Sequence, residues 1–191
     1  MKNLVLASTS KYRQELLKQL GLPFEAKKPL IDEEKEKDPT LAPRKLAERL
    51  AQLKAQSLKA EGTVVIGGDQ LVAHRGKVLG KPHTRERAIE QLLEMQNSKH
   101  ELITAIYICD GNNKGIHYTD ITKLHMKHLS REQIERYVDL DEPLDCAGAY
   151  KIEKHGMMLF DKIESEDFSA IQGLPLLMLG KILKDSGFRI P

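Results

Sequence analysis

The sequence predicts a mixed α/β fold, and three kinds of observation carry that prediction. Short apolar runs of strand type, Leu4-Val5-Leu6-Ala7 and Val64-Val65-Ile66, alternate with stretches in which leucines recur at helical spacing. Helix-start residues stand ahead of such stretches at Ser10, Thr84 and Ser130. Two longer strand-type segments, about Glu101 to Cys109 and Gly115 to Lys127, are joined by the turn-rich Asp110-Gly111-Asn112-Asn113.

In chain order, the first strand breaks into Ser8-Thr9-Ser10-Lys11-Tyr12-Arg13, and a helix follows with Leu16, Leu17 and Leu20 on one face. Gly21 ends that helix, with Pro23 just beyond. Pro29 to Pro43 is polar and acidic, includes Asp32-Glu33-Glu34, and reads as a loop. A second helix places Leu46, Leu50, Leu53 and Leu58 near one stripe, with Lys54 beside it. The strand Val64 to Ile66 ends at Gly67-Gly68-Asp69-Gln70 and resumes at Leu71-Val72-Ala73. His74-Arg75-Gly76-Lys77 forms a turn into Val78-Leu79-Gly80-Lys81-Pro82.

Thr84 caps a third helix that carries Ala88, Ile89, Leu92 and Leu93 inward. Ser130-Arg131-Glu132-Gln133 has the spacing of a capping box and opens a helix with Ile134, Tyr137 and Val138. An irregular stretch from Pro143 to Gly156 precedes a strand from Met157 to Ile163. The last helix follows Gly173-Leu174-Pro175 and carries Leu177, Leu179, Ile182 and Leu183.

Composition narrows the classes of function. A chain of 191 residues buries a substantial core without disulfides or metals and fits a single domain over residues 1–191. Lys plus Arg is 30 against 28 for Asp plus Glu, so no global field favours nucleic acid or a membrane, and an anion site must be a local cluster. Aromatic residues are 5% with no tryptophan, which poorly supplies a stacking platform for single strands. Cys109 and Cys146 lack CxxC spacing and fit a reducing compartment. The apolar run after Met1-Lys2 is too short for a signal peptide, and the expected location is the cytoplasm. His125 and His128 are separated by an odd number on a strand pattern and cannot readily share a metal.

Chemistry concentrates at two places. A strand, a hydroxyl-rich turn and a helix start at Ser8 to Arg13 gather backbone N–H groups, hydroxyls and two cations at one point, which suits a phosphate. Ser10 as a plain N-cap with solvated Lys11 and Arg13 fits the same residues. Asp69 sits where two glycines interrupt an apolar strand, so a bulky ligand can approach its carboxylate; a Gly-Gly-Asp turn is the alternative. Pro82 restrains Lys81 to extended backbone, although a lysine there is commonly solvated, and Lys54 beside an apolar stripe is commonly snorkelling. Neither a Walker-type run nor Gly-x-Gly-x-x-Gly is present, so a nucleotide site must have another design.

Leu6-Ala7-Ser8-Thr9-Ser10 with Arg13, Asp32-Glu33, Gly68-Asp69-Gln70, Gly80-Lys81-Pro82, Asp145-Cys146-Ala147-Gly148-Ala149-Tyr150 and Gly173-Leu174-Pro175-Leu176 together resemble the ordered motifs of the Maf family of nucleoside triphosphate pyrophosphatases. The resemblance runs from residue 4 to about 177. It implies a mixed twisted sheet flanked by helices, similar to inosine triphosphatases and Ham proteins, with two lobes around a central cleft. It also implies a divalent metal cation such as Mg²⁺ or Mn²⁺, hydrolysis to the monophosphate and pyrophosphate, and a possible homodimer. By the same resemblance Asp69 matches the proton acceptor, while Ser8, Ser10, Arg13, Lys54 and Lys81 surround the triphosphate. Glu33, with Asp69, helps hold the metal.

Such a reaction needs an in-line water at the α phosphorus and neutralisation of the leaving pyrophosphate. An ionised Asp69 suits the first task, and Arg13, Lys54 and Lys81 suit the second. The family splits by base, one branch acting on uridine and thymidine triphosphates and another on 7-methyl-GTP. Asp69-Gln70 and Ala147-Gly148-Ala149-Tyr150-Lys151-Ile152-Glu153 match the second branch. A carboxylate at Glu153 accepts from the N1 and N2 donors of guanine, and Tyr12 stacks on a methylated, cationic base. A solvated acid between Lys151 and Lys154, and a Tyr12 on the apolar side of the first helix, are the plainer alternatives. The expected function is therefore clearance of 7-methyl-GTP. Hydrolysis of dTTP or UTP and a non-enzymatic role in cell division are the competing readings.

Overall fold

The structure, a computed structural model, describes residues 2–111 and 115–190, so Asn112 and Asn113 of the expected turn lie outside the described residues. Its strands are β1 (Asn3–Ala7), β2 (Glu25–Lys27), β3 (Thr63–His74), β4 (Lys77–Leu79), β5 (Lys99–Asp110), β6 (Gly115–Met126) and β7 (Phe160–Glu164). Its helices are α1 (Lys11–Lys18), α2 (Glu33–Glu36), α3 (Pro43–Gln56), α4 (Arg85–Met95), α5 (Arg131–Asp141) and α6 (Leu176–Asp185). The strands form one sheet in the order β2-β1-β3-β5-β6-β7, with β4 beside β3. Among the described residues no helix is long and apolar enough to cross a membrane.

The chain divides into two compact units, the first drawn from Met1–Gln70, Thr104–Asp120 and Asp167–Pro191 and the second from Leu71–Ile103 and Ile121–Glu166. In the first unit β1 runs parallel to both β2 and β3, with Asn3 opposite Thr63 and Ala7 opposite Gly67. Parallel neighbours require crossovers, and α1 and α3 supply them. Leu4, Leu6, Val64 and Ile66 of the strands share one core with Leu16 and Leu17 of α1 and Leu179, Ile182 and Leu183 of α6. Each such side chain contributes about 1.5–3 kcal/mol of burial, which anchors the strand ends that carry the polar residues.

β3 is one continuous strand, not two pieces separated by Gly67 to Gln70. Nearly all of its residues are buried, so the two-residue alternation that marks a half-exposed strand is missing and the glycines look like a break. In α3 the buried face is Leu46, Ala47, Leu50, Ala51, Lys54 and Ala55, whereas Leu53 is only half-buried and Leu58 lies past the helix end. Alanines hold that face because Gly67 lies against them, as described below. The Pro29 to Pro43 segment contains α2, and β2 has three exposed residues with no apolar pattern to announce it. On α6 Leu179, Ile182 and Leu183 are buried, whereas Leu177 is 72% exposed.

In the second unit β3 turns into β4 through Arg75 and Gly76, both at positive φ, as a two-residue hairpin requires. Thr84 caps α4 and Ser130 makes the full capping box of α5, both as the sequence pattern indicates. On α4 Leu93 is half-buried and Met95 completes the inner face. α4 and α5 pack together, and Arg85 grips Asp139 through two bonds of 2.6 and 2.9 Å. Residues His155–Leu159 take helical turns, which delays β7 to Phe160. β6 ends at Met126, so His128 is not on the strand, and His125 pairs with Glu164 at 2.6 Å.

Candidate active site

The polar centre of the first unit forms where β1 ends. The register of β1 with β3 closes at Ala7 opposite Gly67, so Gly68, Asp69 and Gln70 continue past the end of β1 just where the chain turns through Ser8 to Ser10. Ligands of open α/β sheets bind at such carboxyl ends of parallel strands.

Ser8 is buried, and its hydroxyl accepts the amide N–H of Ser10 at 3.1 Å. Ser10 caps α1 by accepting the amide of Arg13 at 3.4 Å. The N-cap reading of Ser10 is therefore right, and it does not exclude the phosphate reading. Each oxygen serves as acceptor in these bonds, which leaves its hydroxyl hydrogen as a donor suited to a phosphate oxygen. Tyr12 is 43% exposed in the first turn of α1, one turn before the buried Leu16.

Lys54 holds the centre. It is buried, with its ammonium 2.7 Å from Asp69 Oδ1 and 2.8 Å from Glu33 Oε2. It does not snorkel to solvent. Gly67 explains how a lysine on α3 reaches β3: a Cβ at that position would meet the Ala51 carbonyl at 2.1 Å and Ala55 N at 2.7 Å. Helix and strand backbones are in direct contact there, and Lys54, one turn beyond Ala51, falls against Asp69. Asp69 Oδ2 is buried and makes no hydrogen bond within the described residues.

Arg13 lies over Gly68, whose Cβ would sit 3.4 Å from its Nε, and that Nε donates to the Gly173 carbonyl at 3.1 Å. Burial lowers the pKa of the guanidinium, and the charges of Asp69 and Glu33 act in the opposite direction. Gly173, at φ 114°, closes the short helical turn Phe168–Gln172. The same turn receives Gln70, whose amide nitrogen is 2.9 Å from the Ala170 carbonyl and 3.1 Å from that of Ile171. Asp167 fixes the turn by accepting the amides of Ser169 and Leu177, and Ser169 accepts that of Leu176. Ser8, Ser10, Arg13, Glu33, Lys54, Asp69 and Gln70 thus belong to one connected set in the first unit.

Lys81 and Glu153 belong to the second unit. Lys81 is exposed between Gly80, whose carbonyl takes a bond from Gln91, and the buried Pro82. Glu153 is exposed on a turn clamped at both flanks. Lys151 N–H donates to the Tyr137 hydroxyl at 2.9 Å, and its ammonium meets the carbonyls of Asp141 and Glu142 at the end of α5. His155 donates its backbone N–H to Asp141 at 3.1 Å, with its ring nitrogen 2.7 Å from the same carboxylate. Lys151 is turned toward α5 and Asp145, not toward Glu153.

Sequence reasoning missed Thr104, Asp167, Ser169 and the bridging role of Lys54. Thr104 left a signal, a lone hydroxyl inside the apolar run Leu102-Ile103-Thr104-Ala105-Ile106. Among the described residues no group of three or more His, Cys, Asp or Glu is placed to hold a metal ion. Glu33 and Asp69 make a set of two carboxylates, one with an unpartnered oxygen. That fits Mg²⁺ or a similar cation, which keeps waters and takes substrate phosphates instead of a closed cage of protein ligands.

A sequence profile of the family described as Maf-like protein matches residues 3–186. A protein of Bdellovibrio bacteriovorus named 7-methyl-GTP pyrophosphatase is 68% identical over 185 residues, 97% of each chain. One of Xanthomonas oryzae pv. oryzae with the same name is 41% identical over the whole of both chains. The Staphylococcus aureus Ham1 protein superposes with a TM-score of 0.55 at 14% identity, covering 97% of this chain and all of that one, which establishes a shared fold. With a profile that spans nearly every described element and relatives similar from end to end, this chain belongs to the Maf family.

Proposed function

We propose that this protein is a nucleoside triphosphate pyrophosphatase that hydrolyses 7-methyl-GTP to 7-methyl-GMP and pyrophosphate. The names of its similar relatives support the substrate. The observation that carries the chemistry is Asp69: a buried carboxylate with one oxygen tied to Lys54 and the other unpartnered. A carboxylate fixed by one oxygen presents the second as a base for a water molecule, with no freedom to turn away.

Water attacks the α phosphorus, its proton passes to Asp69 Oδ2, and the bond to the bridging oxygen breaks as pyrophosphate leaves. Ser8 and Ser10 donate their hydroxyl hydrogens to phosphate oxygens, and Arg13 and Lys81 neutralise charge that grows on the leaving group. The Lys54 ammonium donates one hydrogen to Asp69 and is ion-paired with Glu33, and it has hydrogens to offer a phosphate oxygen as well. Glu33 and Asp69 are the residues that would hold a divalent cation, which when bound neutralises phosphate charge and acidifies bound water. Gln70, Glu153 and Tyr12 are assigned to the base, Glu153 as acceptor for the guanine donors and Tyr12 as a stacking face for a cationic ring.

Turnover of a panel of triphosphates with Mg²⁺, followed by pyrophosphate release, tests the proposal. The highest kcat/KM is expected for 7-methyl-GTP, and Asp69→Asn abolishes release while nucleotide binding stays within a few fold. Pyrophosphate release at the wild-type rate by Asp69→Asn, or equal kcat/KM for UTP and 7-methyl-GTP, overturns it.

A further inference from the structure

From the bonding around Gln70 we infer that Thr104 is a positioning residue: its hydroxyl fixes the orientation of the Gln70 carboxamide and makes that side chain solely a hydrogen-bond acceptor toward the nucleotide base. The inference rests on the assignment of Gln70 to the base, given above.

Thr104 lies on β5 and is 1% exposed. A hydroxyl has one hydrogen, and Thr104 gives it to the Ala170 carbonyl at 2.9 Å. Its remaining capacity is to accept, so the Gln70 atom 2.8 Å away must be the donor nitrogen. The same nitrogen faces the carbonyls of Ala170 and Ile171, which only accept. Three acceptors around one position exclude the flipped carboxamide, whose oxygen would meet three oxygens. The two amide hydrogens are engaged by these partners, so Oε1 is the polar atom of Gln70 left for a ligand, and it accepts. A guanine base offers N1–H and N2–H donors on its pairing edge, whereas uracil and thymine place one N–H between two carbonyl oxygens that an acceptor repels. Gln70 held in this way favours the guanine pattern. Nothing in Thr104 itself touches the nucleotide in this account; it acts through Gln70.

The test compares kcat/KM for 7-methyl-GTP and for UTP in the same preparation, because their ratio cancels the fraction of active enzyme. Thr104→Val, which removes the hydroxyl and keeps the shape, is expected to lower the ratio about 3- to 10-fold, as loss of one neutral hydrogen bond does. Thr104→Ser keeps the hydroxyl and stays within about 2-fold of wild type. Gln70→Met lowers the ratio at least as far as Thr104→Val, and adding Thr104→Val to it changes nothing more, since the residues act as one unit. An unchanged ratio in Thr104→Val beside a lowered one in Gln70→Met overturns the positioning role alone. An unchanged ratio in Gln70→Met overturns the assignment of Gln70 to the base and this inference with it. Additive losses in the double variant overturn the route through Gln70. Should Thr104→Val not fold, exchange of the Gln70 side-chain amide protons in the wild type decides: slow exchange is expected, and exchange as fast as that of a solvated glutamine overturns the inference.

Discussion

Replacing Lys54 with methionine tests whether its ammonium is what keeps a charged Asp69 buried. Methionine keeps the unbranched length and the apolar stem, so the loss measured is that of the charge. The Lys54 and Asp69 side chains are 6% and 8% exposed, and Glu33 is 46% exposed. Breaking a buried ion pair by removing one partner costs about 3–5 kcal/mol, because the other charge remains in a poor solvent. The half-exposed Glu33 arm adds about 0–1 kcal/mol. Lys54→Met is therefore expected to lose about 3–5 kcal/mol of unfolding free energy at neutral pH. Asp69→Asn loses less, about 1–2 kcal/mol, since its amide oxygen still accepts from Lys54. The double variant leaves no buried charge at the pair and recovers stability relative to the sum, with an interaction energy of about 2 kcal/mol or more. Urea unfolding of the four proteins, followed by circular dichroism, gives these values. The interaction should persist at about 0.5 M salt, because salt screens buried pairs weakly. An interaction energy under about 0.5 kcal/mol would show that Asp69 is stabilised by something other than Lys54.

Three further outcomes follow from the geometry. Gly67→Ala places a Cβ 2.1 Å from the Ala51 carbonyl, so α3 must move; a loss of about 3 kcal/mol and of most turnover is expected, and an unperturbed variant would contradict the close approach. Burial, with the charge of His74 nearby, lowers the pKa of His100 from 6.5 to about 4. The unfolded chain gains a proton below pH 6.5 that the folded one refuses, so stability present above 6.5 falls by about 3 kcal/mol as the pH drops to about 4. His100→Gln should flatten that part of the stability curve, and parallel curves for variant and wild type would refute it. Glu153→Gln should lose preference for 7-methyl-GTP over GTP and UTP with little change in melting temperature, since Glu153 is exposed on a clamped turn; unchanged selectivity removes it from the base.

What the sequence discloses here tracks the range of the interaction. Caps at Ser10, Thr84 and Ser130 bond to amides three residues on, and the Arg75-Gly76 hairpin is equally local, so pattern alone places them. The Lys54–Asp69 tie spans fifteen residues and depends on Gly67 being bare enough for a helix backbone to touch it. A glycine pair inside an apolar strand signals either a turn or a close approach, and composition does not choose between them. Thr104 and the Phe168–Gln172 turn are further still, joined across 66 residues by a single hydroxyl. Periodicity also fails where there is none to read, as in the three exposed residues of β2 and the four of α2. The motif positions were legible one by one; the hydrogen bonds that orient them were not.

Whether Asp69 directs water to the α phosphorus of 7-methyl-GTP can be read from hydrolysis in ¹⁸O-labelled water. Mass spectrometry of the products should find the label in 7-methyl-GMP and none in pyrophosphate, with one pyrophosphate released per nucleotide and no labelled product from Asp69→Asn. Label in pyrophosphate would mean attack at the β phosphorus, and release of orthophosphate would mean cleavage at the other anhydride bond. Either result would rule out Asp69-directed attack at the α phosphorus.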